Sequence, residues 1–140
     1  MITIIAGSRT ITDYNLLIRA IKKSKIKITE VVSGMAEGVD MMALRFAEEN
    51  KKKLTCMPAD WNRHKQTAGL IRNNKMAHHS EALIAIWDGK SKGTKHMIGE
   101  AIRLGLKLYV YNTGSSNNDN NWSWVLRKGI KHSETIWYSK

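Results

Sequence analysis

The sequence predicts an α/β protein: a Rossmann-like, doubly wound, mainly parallel sheet of about five strands with helices on both faces. Three observations predict it. Short β-branched apolar runs alternate along the chain with stretches of helical periodicity. Those runs are near-continuously apolar rather than alternating, as strands covered on both faces should be. Three of them end in glycine-bearing polar residues at the rim where such sheets bind ligands.

The elements follow in order. MITIIAG is a β-branched first strand closed by Gly7. Thr12 or Asp13 stands where a helix N-cap belongs, and Leu16, Leu17, Ala20 and Ile21 make one apolar stripe behind it. TEVVSG is the second strand, and Val39, Met42, Ala43, Phe46 and Ala47 recur at helical spacing to about Asn50. KLTCMPA is a third strand, stopped by Pro58. Arg63 to Ser80 is polar and weakly periodic, a loop plus a helix through Leu70, Ile71 and Met76. ALIAIW is the fourth strand. The helix after Thr94 turns Met97, Ile98, Ala101 and Ile102 inward and ends at Gly105, before LKLYVY, the fifth strand. Right-handed crossovers make 3-2-1-4-5 the leading strand order. Residues 1–112 form the Rossmann-like domain. Residues 113–140 are an extension packed on it, a polar loop (Gly114 to Asn121) followed by Trp122, Trp124, Trp137 and Tyr138.

The 140 residues suit one domain with a real core. No apolar run approaches the ~20 residues of a membrane span, and no signal-peptide pattern opens the chain. The single cysteine, Cys56, reads as a small hydrophobe in a strand; without a partner for a disulfide it points to a reducing, cytoplasmic setting. The net charge of +11 favours a polyanion or a phosphorylated small molecule as partner. Much of that charge sits in KKSKIK and KKK, at helix ends where lysine meets the negative end of the dipole. No motif implies a cofactor or a metal ion, and neither is expected.

Polar residues gather at three strand ends. The first carries Gly7, Ser8 and Arg9; the second, SGMAEGVD, carries Ser33, Gly34, Met35, Gly38 and Asp40; the fourth, WDGKSKGT, carries Asp88, Gly89, Ser91, Gly93 and Thr94. The last two run into helix N-termini, whose free N–H groups and positive dipole ends hold anions. The Walker A spacing is absent. Arg9 and Arg72 add guanidinium forks for a phosphate. Gly93 would admit close backbone approach, with a positive φ, and Thr94 would both cap the helix and donate its hydroxyl. Asp40 and Asp88 suit sugar hydroxyls, an amine on a base, or the capping of a turn.

Taken together, IIAGSRTITDY, VVSGMAEGVD, PADW, AGLIRNNKMA, AIWDGKSKGTKHMI and LKLYVY resemble, in that order, the YspA-like branch of the SLOG superfamily. Its relatives include the LONELY GUY phosphoribohydrolases and DNA-processing protein A. The resemblance implies a nucleotide-related ligand over the strand ends, phosphate held by the glycine-rich loops, and a homo-oligomer, a dimer or higher. It puts Gly7, Ser8 and Arg9 on the floor and Ser33, Gly34 and Gly38 in the second loop. Arg72 and Asn73 would reach in from the third helix, and Gly93 and Thr94 would hold phosphate. It departs at one place: the phosphoribohydrolases carry a glutamate three residues after the threonine, and here that residue is Met97. Arg72 with Glu100 or Asp88 are the remaining catalytic candidates. The expected function is binding of a phosphate-containing, nucleotide-derived small molecule, such as an ADP-ribose-like or cyclic nucleotide signal, by a sensor or sequestering protein. Cleavage of an N-glycosidic bond in a nucleoside monophosphate comes second, and single-stranded DNA binding third.

Overall fold

The computed structural model describes residues 1–114 and the strand at 135–139. Its core is a parallel sheet: β1 (Ile2–Gly7), β2 (Glu30–Ser33), β3 (Lys53–Cys56), β4 (Ala82–Trp87), β5 (Lys107–Asn112) and β6 (Thr135–Ser139). The six strands lie in the order β3-β2-β1-β4-β5-β6. The first five strands thus take the expected 3-2-1-4-5 order. The sixth extends the sheet beyond it, pairing Leu108 with Thr135 and Asn112 with Ser139. Its Thr-Ile-Trp-Tyr run has strand-forming residues throughout, but the expected extension merged it with the polar segment before it. The tail loop beyond Gly114, Trp122, Trp124 and the side chains of Trp137 and Tyr138 lie outside the described residues.

Helices cover both faces because each central strand points alternate side chains to opposite sides. Ile5, Val31, Ile84 and Tyr109 face α1 (Tyr14–Ser24) and α2 (Val39–Glu49), packing against Leu17, Ala20, Ala43 and Phe46. Ile4, Val32, Leu83 and Leu108 face α4 (Ala68–His79) and α5 (Lys92–Arg103), against Met76, Met97, Ile98 and Ala101. Each fully buried isoleucine or leucine contributes roughly 1.5–3 kcal/mol. Asp13, not Thr12, caps α1, its carboxylate accepting from the N–H groups of Asn15 and Leu16. Gly105, with φ +73, follows the end of α5 as expected.

Two expectations change. β3 is not apolar on both faces: it is the sheet edge, Leu54 is 38% exposed, and Cys56 is exposed rather than packed away. Three consecutive lysines leading into it, Lys51 to Lys53, suit such an edge. The stretch after Pro58 is also more regular than expected. It holds a short helix, α3 (Trp61–His64), and a 3-10 turn (Lys65–Thr67) before α4. Asp60 starts α3, its carboxylate accepting from the N–H of Arg63. No helix among the described residues is long and apolar enough to cross a membrane.

Candidate functional site

The carboxyl ends of the strands, where winding reverses between β1 and β4, open into a cleft of about 750 Å3, part of it solvent at the mouth. Its floor begins at β1. Gly7 is wedged between β4 and the start of α2, so that a Cβ there would stand 2.2 Å from the Ile86 carbonyl oxygen and 2.6 Å from a Val39 methyl. Ser8 is buried and ties the floor together: its N–H donates to the Ile86 carbonyl and its hydroxyl accepts from the Asp88 N–H.

The second loop is built around Arg72. The Arg72 guanidinium donates from one nitrogen to the Gly34 carbonyl and from Nε to the Asn73 side-chain oxygen, at 2.9 Å. A Cβ on Gly34 would collide with the guanidinium at 2.4 Å and with the Asp40 carboxylate at 2.9 Å. Gly38 adopts φ +76 with the carbonyls of Ser8 and Arg9 pressed against it, a position closed to other residues. The Ser33 hydroxyl holds the loop by donating to the Asp40 carbonyl and accepting from the Met35 N–H. Met35 itself sits at φ +63, unusual for a side chain of its size, and is 37% exposed.

Burial dominates the electrostatics. It pushes the Asp40 carboxyl up to about 6, against the pull of Arg72, of the Ala36 and Gly7 N–H groups and of Arg9. Burial also lowers Arg72, opposed by Asp40 and reinforced by Arg9, though guanidinium remains a cation.

The GKSKGT loop differs from expectation in two respects. Ser91, not Thr94, caps α5: its hydroxyl accepts from the Thr94 N–H and pairs with the Thr94 hydroxyl at 3.1 Å. A serine two residues before Gly93 reaches the helix end, whereas Thr94 is already inside its first turn and buried. Gly93 is helical, without a positive φ; the turn glycine of this loop is Gly89, at φ +82. An added Cβ on Gly93 would meet nothing within 4 Å. The N–H groups of Lys92 and Gly93 have no acceptor among the described residues, as befits a helix start facing an open cleft.

Gly7, Arg9, Asp40, Arg72, Asn73, Ser91, Gly93 and Thr94 line the cleft together. Gly34 and Met35 line an adjoining depression shared with Arg9 and Arg72. Ser8, Ser33, Gly38, Asp88 and Gly89 line neither and serve as scaffold. Asp88 accepts from the Lys90 and Ser91 N–H groups, both at 2.8 Å, and so makes the turn. Burial would raise its carboxyl, but these bonds and the Ser8 hydroxyl hold it below the usual value. Glu100 is likewise outside the cleft lining. Its carboxylate accepts from Arg103 and Asn74 and stands 3.5 Å from His96. Asn73 joins the two halves, accepting from Arg72 while its amide nitrogen reaches the Gly93 carbonyl at 3.3 Å and His96 at 3.1 Å. Sequence reasoning missed Trp61, Gln66, Gly69 and Leu70, which line the mouth. The signal available was Trp61 within PADW, a large aromatic in an otherwise polar stretch.

The comparisons with known proteins agree with this fold. The model of the YspA, cpYpsA-related SLOG family matches residues 1–64. The gene 61 protein of Mycobacterium phage D29 is 31% identical over 115 residues, covering 75% of this chain and 91% of the relative. The chain belongs to this SLOG family. The X-ray structure of DNA processing protein A (DprA) from Streptococcus pneumoniae superposes with a TM-score of 0.66 at 16% identity, over 97% of this chain. That likeness is one of fold, and the chain spans only 58% of the DprA chain. In this SLOG protein the matched residues span β1 through β3, and with them Gly7 of the cleft floor and Ser33 to Asp40 of the second loop.

Proposed function

We propose that the protein binds a nucleotide-derived small molecule through its phosphate, at the cleft over the carboxyl ends of β1 and β4, and acts as a sensor or sequestering protein. One observation carries the reading: the Arg72 guanidinium, held by Gly34 and Asn73, lines the same cleft as the open N-terminus of α5 at Gly93. A fixed fork and a helix start are complementary to a phosphate. Met97, rather than a carboxylate, occupies the adjoining cleft wall. The test is mass spectrometry of small molecules released by denaturing the purified protein. A phosphorylated, base-containing compound, recovered unchanged after incubation, is the expected result; clean protein that binds no nucleoside monophosphate in titration would overturn it.

A second reading, N-glycosidic hydrolysis of a nucleoside monophosphate, is favoured by Asp40. Of the carboxylates near the rim it is the one lining the cleft, and a carboxyl near 6 suits proton transfer. Glu100 and Asp88 are committed elsewhere by their hydrogen bonds. Release of free base from a panel of nucleoside monophosphates, lost in Asp40→Asn, would establish this reading over simple binding. DNA binding is a third reading, drawn from the name of the DprA relative and the net charge of +11. It predicts gel retardation of single-stranded DNA that weakens steeply with salt.

A further inference from the structure

Trp61 is an aromatic ring that the fold leaves in the open. It is 51% exposed, on the four-residue helix α3, although the chain has two apolar cores in which an indole could be buried. It lines both the main cleft and the adjoining depression, so it stands between them with Arg72. Gly69 separates the two groups. A Cβ built on Gly69 would be 3.6 Å from the far edge of the indole and 3.9 Å from the outer nitrogen of Arg72. Ring and guanidinium therefore flank one small residue, with no side chain from Gly69 between them. Leu70, 46% exposed, adds an apolar surface on the same lip, and Gln66 brings an amide able to donate and accept.

This arrangement has two chemical halves. The inner half, Arg72 with the α5 start, suits an anion; the outer half, Trp61 with Leu70, suits a flat apolar face with polar edges. Exposed indole is a stacking surface for nucleobases of any sequence, because every base has a π face. We infer that Trp61 is the base-stacking residue of this cleft, so that the ligand class is an intact nucleotide, base included, rather than a phosphorylated sugar. The inference rests on the phosphate-binding reading given above and adds the outer half to it. Trp61 would set how tightly a base-bearing ligand is held, and Gln66 would meet the base edge.

The test is calorimetric titration with ribose 5-phosphate and with the four common nucleoside monophosphates, on the wild type, Trp61→Ala and Trp61→Phe. In the wild type at least one nucleotide should bind about tenfold or more tightly than ribose 5-phosphate, the range that stacking on one aromatic provides. Trp61→Ala should remove that excess and leave ribose 5-phosphate affinity unchanged, while Trp61→Phe keeps most of it. A fluorescence change on nucleotide binding should be present in the wild type and reduced in Trp61→Phe, a signature that a merely structural tryptophan would not give. Thermal melts of both variants should lie near the wild type, since the ring is half exposed. If ribose 5-phosphate and the nucleotides bind the wild type equally, or Trp61→Ala weakens both alike, the stacking role is wrong and phosphate binding stands. If none of these probes binds the wild type, both readings fall together.

Discussion

Two loops at one rim carry glycines for opposite reasons. In SGMAEGVD the protein itself fills the space. Gly34 lies against the Arg72 guanidinium and the Asp40 carboxylate, and Gly38 takes φ +76 beneath two carbonyls. In GKSKGT, Gly93 is helical and an added Cβ would meet nothing within 4 Å. The first loop is made by packing, and its glycines would be required with or without a ligand. The second keeps a vacant place beside a helix start. A glycine adds nothing to a helix that alanine would not, and no neighbour in the fold demands one at this first-turn position.

The largest expected effect belongs to the packed side of that comparison. Gly7→Ala sets a Cβ against the backbone oxygen of Ile86, an atom that cannot swing away. Stability should fall by about 3 kcal/mol, measured by urea denaturation. A change below about 0.5 kcal/mol would mean that the strand ends are looser than described.

Gly34→Ala comes next and should act through Arg72, whose flexible end can yield. The affinity for a nucleoside monophosphate should drop about tenfold to a hundredfold, as in Arg72→Ala, since a charged hydrogen bond is worth roughly 1.5–3 kcal/mol. The double variant should bind no worse than either single one, because both remove the same contact. Additive losses in the titration would show that Gly34 matters for some other reason.

Asp40 offers an effect of up to about 3 kcal/mol with a definite pH signature. Its folded carboxyl is raised to about 6 from 3.8, mainly by burial. The folded state thus holds its proton more tightly, and stability is lost as pH rises from about 4 through about 6. Asp40→Asn, which keeps an oxygen for the Ala36 N–H, should melt higher than the wild type at pH 7, with the gap closing near pH 4. A variant less stable than the wild type at pH 7 would contradict this. A carboxylate retained at such a cost lines the cleft, where sugar hydroxyls or a reacting proton would use it.

Most of this fold was legible because local signals and global topology agree. The wholly buried run of β4, Ala82 to Trp87, and the apolar stripe of α5 reflect their positions directly. The edge strand β3 was less so: the expected order already put it at the edge, but its run was read as apolar and covered, while Leu54 and Cys56 are exposed. β6 was hidden because its few strand-forming residues follow a long polar segment. At the rim, residue type marked which positions gather but not which of them face outward. Ser8 looked like a ligand group and Asp88 like either a ligand group or a turn cap; both hold a turn together. Trp61 stood out only as part of PADW, and it lies in the open at the mouth on α3.

The smallest fold perturbation gives the most direct test of the claim that the space beside Gly93 seats a ligand phosphate. Gly93→Val should be compared with the wild type by thermal melting and by calorimetric titration with whichever nucleoside monophosphate the wild type binds best. The account predicts a melting temperature close to the wild type, because a Cβ at this position meets nothing within 4 Å, together with loss of measurable binding. A variant that folds and binds as the wild type does would contradict it.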